Sequence, residues 1–307
     1  MIAVILMKKI CSLFLIMGMG AILVRLKILK ANESKVLSLL SLYLIMPCMI
    51  LTSFQVECTK EVQSGLLLAL IAAIVAHVIL LILSVPLKRI WNLDAVEVTS
   101  LIYSNAAGLI IPLILAILGK EWVIYTSPFV CVQLFLLWSH GKSVLCGEKG
   151  IDLRKVFMNI NMISVLIGII LFATGIRFPA VVSDAIESVG NMMGPVGMLV
   201  TGMLIGSMDM KKIFSYKRLL LVVPLRLVGL PLLILLVFKF SGVGKMFPNG
   251  DTILMISLLA TMTPSASTIM QMAQIYDKDA DYASVINVAT TILCILTMPL
   301  LIALYQL

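Results

Sequence analysis

Ten apolar runs, each about twenty residues long, make up most of this 307-residue chain and constrain its fold more than any other feature. A helix needs about twenty mostly apolar residues to cross the hydrocarbon core of a bilayer. The connections between the runs are short, so no soluble domain is expected. The sequence therefore predicts an all-α membrane protein with ten transmembrane helices, at 5–24, 36–54, 65–86, 98–118, 124–145, 157–175, 187–206, 219–240, 252–272 and 283–304.

Composition and charge agree with a membrane protein. Hydrophobic residues form 61% of the chain and charged residues 12%, whereas soluble domains carry about 25% charged residues. The net charge of +8 would suggest nucleic acid in a soluble protein, but these basic residues lie between apolar runs, where they anchor helices at the cytoplasmic face. We therefore expect lipid and no nucleic acid as partners. About twice as many of the 23 Lys and Arg residues fall inside if both termini are non-cytoplasmic, which predicts that orientation in the cell membrane.

The ten runs divide into two halves of five, 1–146 and 147–307. An odd number of spans in each half gives the halves opposite orientations, which is the inverted-repeat architecture of many secondary transporters. Prolines mark matching places in the two halves: Pro47 and Pro195 in the second and seventh runs, and Pro112 and Pro264 in the fourth and ninth. The sequence therefore predicts two inverted five-helix repeats.

The fourth and ninth runs combine Pro or Gly with hydrogen-bonding side chains at mid-membrane depth. A proline removes a backbone donor and clashes with the preceding turn, and a broken backbone at this depth is tolerated where it is buried in protein or lines a cavity. Two ordinary proline kinks are the alternative. Breaks at matching places of two repeats instead indicate a transport site. The predicted substrate-binding residues are Asn105, Ala106, Gly108, Pro112, Thr263, Pro264, Ser265, Ser267 and Thr268.

The expected substrate is a small organic anion. The half-helix that follows each break presents free N–H groups and its positive dipole end, and no acidic residue lies near either break. Gln133 and Asn287, in the runs that follow, are added as substrate-binding residues; hydrogen bonding to neighbouring helices is their alternative role.

Two titratable residues inside runs are further candidates. His77, in the middle of the third run, is the candidate for proton coupling, with a neutral hydrogen-bonded imidazole as its alternative. Arg226 could bind an anion, but snorkelling to the inner headgroups is preferred, because Arg218 lies about 12 Å away along the same helix. No cofactor is expected apart from a proton or sodium coupling ion. The six cysteines form no CxxC pair, so no metal site is predicted.

Glycines at close spacing occur in the seventh run. Gly190, Gly194, Gly197, Gly202 and Gly206 would let helices approach closely. They fit either packing within the chain or a homodimer contact.

The residues of the first two runs and of the two breaks resemble the auxin efflux carrier family, whose bacterial members are often labelled malate or malonate permeases. The resemblance covers nearly the whole chain. It is carried by Gly18-Met19-Gly20, Ile45-Met46-Pro47, Asn105 to Pro112, Gln133 with Trp138 to Gly141, Thr174 to Pro179, and Met262-Thr263-Pro264-Ser265-Ala266.

This resemblance implies the fold of bile-acid sodium symporters and sodium/proton antiporters of the NhaA type. Runs 5–54 and 157–206 would form a scaffold, and 65–145 and 219–304 a mobile transport domain with helices 4 and 9 crossing at its centre. It also implies efflux or exchange of small organic anions by an elevator-like movement, and no enzymatic activity. A sodium-coupled symporter and a non-transporting sensor or channel-like protein are the alternatives.

Overall fold

The structure, a computed structural model, describes residues 2–147, 154, 158, 160–207, 216–276 and 278–307. Within them the chain is helical, and its only extended pairing is one isolated bridge. The α-helices are α1 Ile2–Arg25, α2 Ser34–Leu40, α3 Met46–Ser53, α4 Lys60–Trp91, α5 Ala95–Ile102, α6 Ala106–Ile117, α7 Ser127–Leu136, α8 Lys142–Cys146, α9 Ile160–Thr174, α10 Ala180–Gly190, α11 Met193–Ser207, α12 Leu219–Pro224, α13 Leu230–Phe240, α14 Gly250–Met262, α15 Ser267–Ile275 and α16 Ala280–Gln306.

Short helical segments of other types join several of these helices. Within the described residues, three π-helical segments lie in longer helices, at Ser41–Ile45, Leu137–Gly141 and Leu225–Gly229. The same part of the chain contains 3₁₀ segments at Ala31–Glu33, Lys120–Thr126 and Val243–Met246. A π-helical turn shifts the direction of the side chains on its helix, and Arg226 lies in the last of these segments.

Six helical stretches of the described chain are long and apolar enough to cross a membrane. They match six of the ten predicted runs and comprise Ala31–Ser53, Lys60–Trp91, Lys120–Leu145, Ala180–Ser207, Leu219–Phe240 and Ala280–Gln306. Shorter apolar helices occupy the first and sixth runs, at Phe14–Arg25 and Ile160–Thr174. The all-helical, multi-pass character is confirmed, while the count of ten stays a prediction.

The two remaining runs are interrupted. In the ninth run, α14 ends at Met262 and α15 begins at Ser267, so the break contains Pro264 as predicted. It begins at Thr263, because a residue before proline avoids the helical region; Thr263 has φ −61° and ψ 156°.

The fourth run breaks without a proline. Here α5 ends at Ile102, Tyr103 is extended, and α6 begins at Ala106 and continues through Pro112. Pro112 therefore does not interrupt the helix, and the part of the prediction that placed it in the break is wrong. Because proline has no N–H, Pro112 removes one hydrogen bond within α6, but the helix continues past it to Ile117.

Two compact units share the chain. The first contains Met1–Thr59, Ala107–Ser127 and Met158–Ser215, and the second contains Lys60–Ala106, Pro128–Phe157 and Tyr216–Leu307. The predicted repeats, scaffold and transport domain stay predictions. Four basic residues that were used for the orientation lie outside the described residues: Lys149, Lys155, Lys211 and Lys212.

In the first unit, α1 packs against α11 through glycines. A Cβ atom on Gly202 would collide with the carbonyl oxygen of Met17, and one on Gly206 would lie 2.6 Å from that of Ala21. One on Gly20 would lie 2.5 Å from the Leu199 oxygen. Gly202 and Gly206 therefore serve close packing within the chain, one of the two roles expected for the glycines of the seventh run; a homodimer contact stays a prediction.

The first unit also contains a pocket between its helices. Lys120 and Glu187 line it and form an exposed ion pair of 2.6 Å. Its other walls include Met49, Ser53, Ile111 and Asn191.

Candidate transport site at two paired helix breaks

The two breaks lie against each other in the second unit. Ser104 and Ser265 form an antiparallel bridge. The Asn105 N–H donates to the Pro264 carbonyl at 2.7 Å, and the Ala266 N–H donates to the Tyr103 carbonyl at 3.0 Å. The breaks therefore satisfy part of each other's backbone, as a buried irregular segment must.

Gln133, in α7, supplies the missing backbone partners of Ser104. Its Oε1 accepts from the Ser104 N–H at 3.2 Å and from the Ser104 hydroxyl at 2.6 Å, and its Nε2 donates to the Ser104 carbonyl at 2.7 Å. Both residues are buried. The Gln133 side chain thus replaces hydrogen bonds that a continuous helix would have made.

Asn287 and Thr290, in α16, do the same for Ser265. Asn287 Nδ2 donates to the Ser265 carbonyl at 2.5 Å, and the Ser265 N–H donates to Thr290 Oγ1 at 3.1 Å. Each break is therefore held by polar side chains from the next apolar run along the chain, the fifth for the first break and the tenth for the second. Gln133 and Asn287 thus bond to backbone at the breaks, which is the alternative role expected for them; their contact with a substrate stays a prediction.

A few polar side chains at the breaks do not form hydrogen bonds that support the broken backbone. Asn105, Ser267 and Thr268 are partly exposed, and their side chains make no hydrogen bond among the described residues. The Ser265 hydroxyl is buried without a partner there. In contrast, Thr263 is fully buried and its hydroxyl donates to the Ala260 carbonyl at 2.8 Å.

Other predicted substrate-binding residues contribute backbone groups to the breaks rather than polar side chains. Ala106 is fully buried at the start of α6, and Pro264 offers its carbonyl to Asn105. Gly108 and Pro112 lie in the part of α6 that belongs to the first unit. The first N–H groups of a helix have no acceptor four residues earlier within it, and both α6 and α15 begin at the breaks.

Arg226 contacts the C-terminal ends of the two helices that precede the breaks, α5 and α14. Its guanidinium is 0% exposed, and it donates to the Thr263 carbonyl at 2.8 Å and, at the longer distance of 3.5 Å, to that of Leu101. These carbonyls belong to the C-terminal ends of α14 and α5. The preferred interpretation of Arg226 as a snorkelling residue is wrong, because the π-helical segment Leu225–Gly229 contains it and its charge is fully buried in the second unit.

His77 is buried in α4. Its Nδ1 lies 2.8 Å from the Ala73 carbonyl, so Nδ1 carries the proton, and Nε2 has no partner within the described part of the chain. Its ring centroid lies 4.7 Å from that of Phe129. A proton relay through His77 stays a prediction.

Tyr103 is a site residue that the sequence did not indicate. Its hydroxyl donates to the Leu136 carbonyl at 3.0 Å and lies 2.8 Å from His140 Nδ1. This ties the first break to the π-helical segment Leu137–Gly141. A lone buried tyrosine that precedes a polar residue gives no sequence signal of its own, so only the fold reveals this contact.

A charged cluster fixes the start of α5, just before the fourth run. Glu97 is 0% exposed, and its two oxygens accept from Arg218 Nε at 2.5 Å and Nη2 at 2.7 Å. The Tyr282 hydroxyl donates to it at 2.9 Å and the Asp94 N–H at 2.9 Å. Burial alone would raise the pKa of Glu97, but these hydrogen bonds, led by that of Arg218, hold this pKa below its ordinary value.

A comparison with protein families identifies the chain. The model of the family described as "Membrane transport protein" matches residues 5–150 and 148–302. The chain belongs to this membrane transport protein family. This is the auxin efflux carrier and permease-like family that its residues resemble. No curated protein matches the chain.

Membership of the membrane transport protein family assigns the general function. It is a family of transporters rather than of enzymes, and the apolar helices agree with a multi-pass membrane transporter. Among the described residues no group of three or more His, Cys, Asp or Glu side chains could hold a metal ion.

Proposed function

We propose that the protein is a secondary active carrier that effluxes or exchanges a small organic anion, which binds at the paired breaks in the second unit. The observation that carries this proposal is the pairing of Ser104 with Ser265, because it brings two broken helices together. Broken helices that meet at membrane depth form the substrate sites of many secondary carriers.

The chemistry of the breaks supports an anion. α6 and α15 both begin there, and helix N-termini attract negative charge. The partly exposed side chains of Asn105, Ser267 and Thr268 offer neutral hydrogen-bond donors. Neither break contains an acidic residue, so no carboxylate there would repel a bound carboxylate.

The equivalent support of the two breaks favours inverted repeats. Gln133 follows the first break and Asn287 with Thr290 follow the second, and each set bonds to one break serine. Such a correspondence is expected if ten helices form two inverted five-helix repeats with helices 4 and 9 crossing. Movement of a transport domain against a scaffold would then give elevator-like alternating access.

Counter-flow into proteoliposomes tests the transport proposal. A thermal-shift screen with malate, malonate, amino acids and aromatic acids selects the anion, and labelled anion is then exchanged across the liposome membrane. Saturable counter-flow is expected for the native chain, with loss in Asn105→Ala and in Pro264→Leu. Normal counter-flow in both variants would exclude the breaks as the site, and no counter-flow of any anion by the native chain would favour a sensor or channel-like protein.

The coupling ion is tested separately. If His77 relays a proton, His77→Gln will transport with a flattened dependence on pH, while the native chain will respond to a proton gradient. An unchanged pH dependence in His77→Gln would remove His77 from the mechanism and leave the anion site in place.

A further inference from the structure

The C-terminal ends of α5 and α14 form the negative side of the paired breaks. The last carbonyl groups of a helix lack partners within it and carry the negative end of its dipole. In carriers with broken helices, such helix ends and unwound carbonyls coordinate the coupling cation. The carbonyls of Leu101 and Thr263 hold this position in the present structure.

The charged guanidinium of Arg226 forms hydrogen bonds with these carbonyls. Its two terminal nitrogens donate to the Leu101 and Thr263 carbonyls, which belong to the two different helix ends. Within the described part of the chain no carboxylate pairs with it. A fully buried charge without an ion-pair partner is costly unless its surroundings favour that charge. The compensating groups here are the two helix ends.

The shape of the helix that carries Arg226 suits this placement. Arg226 follows Pro224, which lies at the end of α12, and it lies in the π-helical segment Leu225–Gly229. A proline and a π-helical turn both alter the direction of side chains on a helix. The guanidinium is thereby held inside the second unit, where a planar fork can reach two carbonyl groups at once.

We propose that the Arg226 guanidinium is a resident cation that takes the place of a mobile coupling cation at the two broken helices. The carrier therefore needs no sodium ion to assemble its anion site. The role of Arg226 in transport rests on the proposed function, whereas its role as a resident cation is a property of the folded protein and is tested without any substrate.

Thermal unfolding in detergent, at constant ionic strength, tests the resident cation. The probes are the chloride salts of sodium, lithium, potassium, choline and guanidinium, the last at a concentration too low to denature. The native chain is expected to show the same Tm in all five salts. Arg226→Ala is expected to have a lower Tm in choline and to regain part of the loss in guanidinium and in sodium, because the small cations can enter the vacated site.

A matched control is Lys239→Ala. Lys239 also donates to the carbonyl of a residue near a helix end, Leu304 at 3.1 Å, but it is exposed. Water can replace its charge there, so its Tm should not depend on the cation. Arg226→Lys keeps a charge but reaches only one carbonyl. Its Tm should therefore lie between those of the native chain and of Arg226→Ala, and this Tm should not change with sodium.

Two results would overturn the proposal. A Tm of the native chain that rises specifically in sodium would show that a mobile cation still binds. An Arg226→Ala variant with the same Tm in every salt would show that the helix ends need no cation. If Arg226→Ala cannot be purified, the sodium series on the native chain and on Arg226→Lys decides, since sodium-specific stabilisation of either contradicts the proposal. Failure of counter-flow would contradict the proposed transport and leave these Tm results unaffected.

Discussion

Gln133 binds Ser104 through three hydrogen bonds that pair the backbone N–H, the backbone carbonyl and the hydroxyl of the serine with one side-chain amide. In a continuous helix those backbone groups would bond to residues four positions away. The first break therefore persists because a residue 29 positions later in the chain satisfies it. The bonds to Gln133 hold Ser104 in a position from which it pairs with Ser265.

Replacing Gln133 by Leu should destabilise the protein strongly. The change leaves the polar groups of Ser104 buried without partners, and each unsatisfied group costs about 1–3 kcal/mol. A fall in apparent Tm is expected by thermal unfolding in detergent, together with loss of counter-flow. Gln306→Leu makes the same chemical change at an exposed position and should leave both unchanged. An unaltered Tm in Gln133→Leu would show that the break does not depend on this amide.

Thr290→Val tests the second break with a change of one group. Valine preserves the shape of threonine but removes the acceptor of the Ser265 N–H, so a loss of about 1–3 kcal/mol in stability is expected. Thr297→Val is the control, since Thr297 is only partly buried and its hydroxyl donates within α16, to the Leu293 carbonyl. Equal Tm values for the two variants would contradict the assignment of Thr290 as a partner of the break.

The Glu97–Arg218 pair should make stability depend on pH. The pKa of Glu97 is lower in the folded protein than its ordinary value, so its contribution is present above about pH 4.3 and is lost as pH falls through the folded value. Tm measured from pH 7 downward should therefore fall below about pH 4.3 more steeply in the native chain than in Glu97→Gln. Parallel curves for the two proteins would rule out this contribution.

Arg218→Met should lower stability by about 2 kcal/mol, because it removes charge-assisted hydrogen bonds to a buried carboxylate. Lys217→Met removes the same charge from the exposed neighbouring residue and should have little effect. The comparison of their Tm values separates the specific pair from general surface charge. Equal losses in both variants would contradict a specific role for Arg218.

Gly202→Ala should separate α1 from α11. The new methyl group would collide with the backbone of Met17, and it would lie 3.0 Å from the Ala21 nitrogen. Overpacking of this kind costs about 1–3 kcal/mol. Gly197→Ala is a control in the same helix, because no atom lies within 4 Å of its added methyl group; its Tm should stay the same or rise. A higher Tm in Gly202→Ala would show that the two helices are free to move apart.

Hydropathy and composition alone determined that the chain is a multi-pass helical membrane protein. The apolar runs are a local property, and lipid is the solvent that accepts them. The ninth-run break was equally predictable, because Pro264 excludes helical backbone at Thr263 through contacts between neighbouring residues. The polar residues of both breaks were also predictable, because polar side chains that interrupt an otherwise apolar run are a local property of the sequence.

Only the tertiary structure decided where the fourth run breaks and what its polar neighbours do. The break lies at Tyr103–Asn105 and not at Pro112, because Gln133 and Pro264 provide hydrogen bonds there that no local pattern reveals. Arg226 is likewise drawn inward by the carbonyls of Leu101 and Thr263, although its distance from Arg218 suggested the headgroups. A hydrogen bond depends on which distant groups the fold brings within about 3 Å, and that information is distributed over the whole chain.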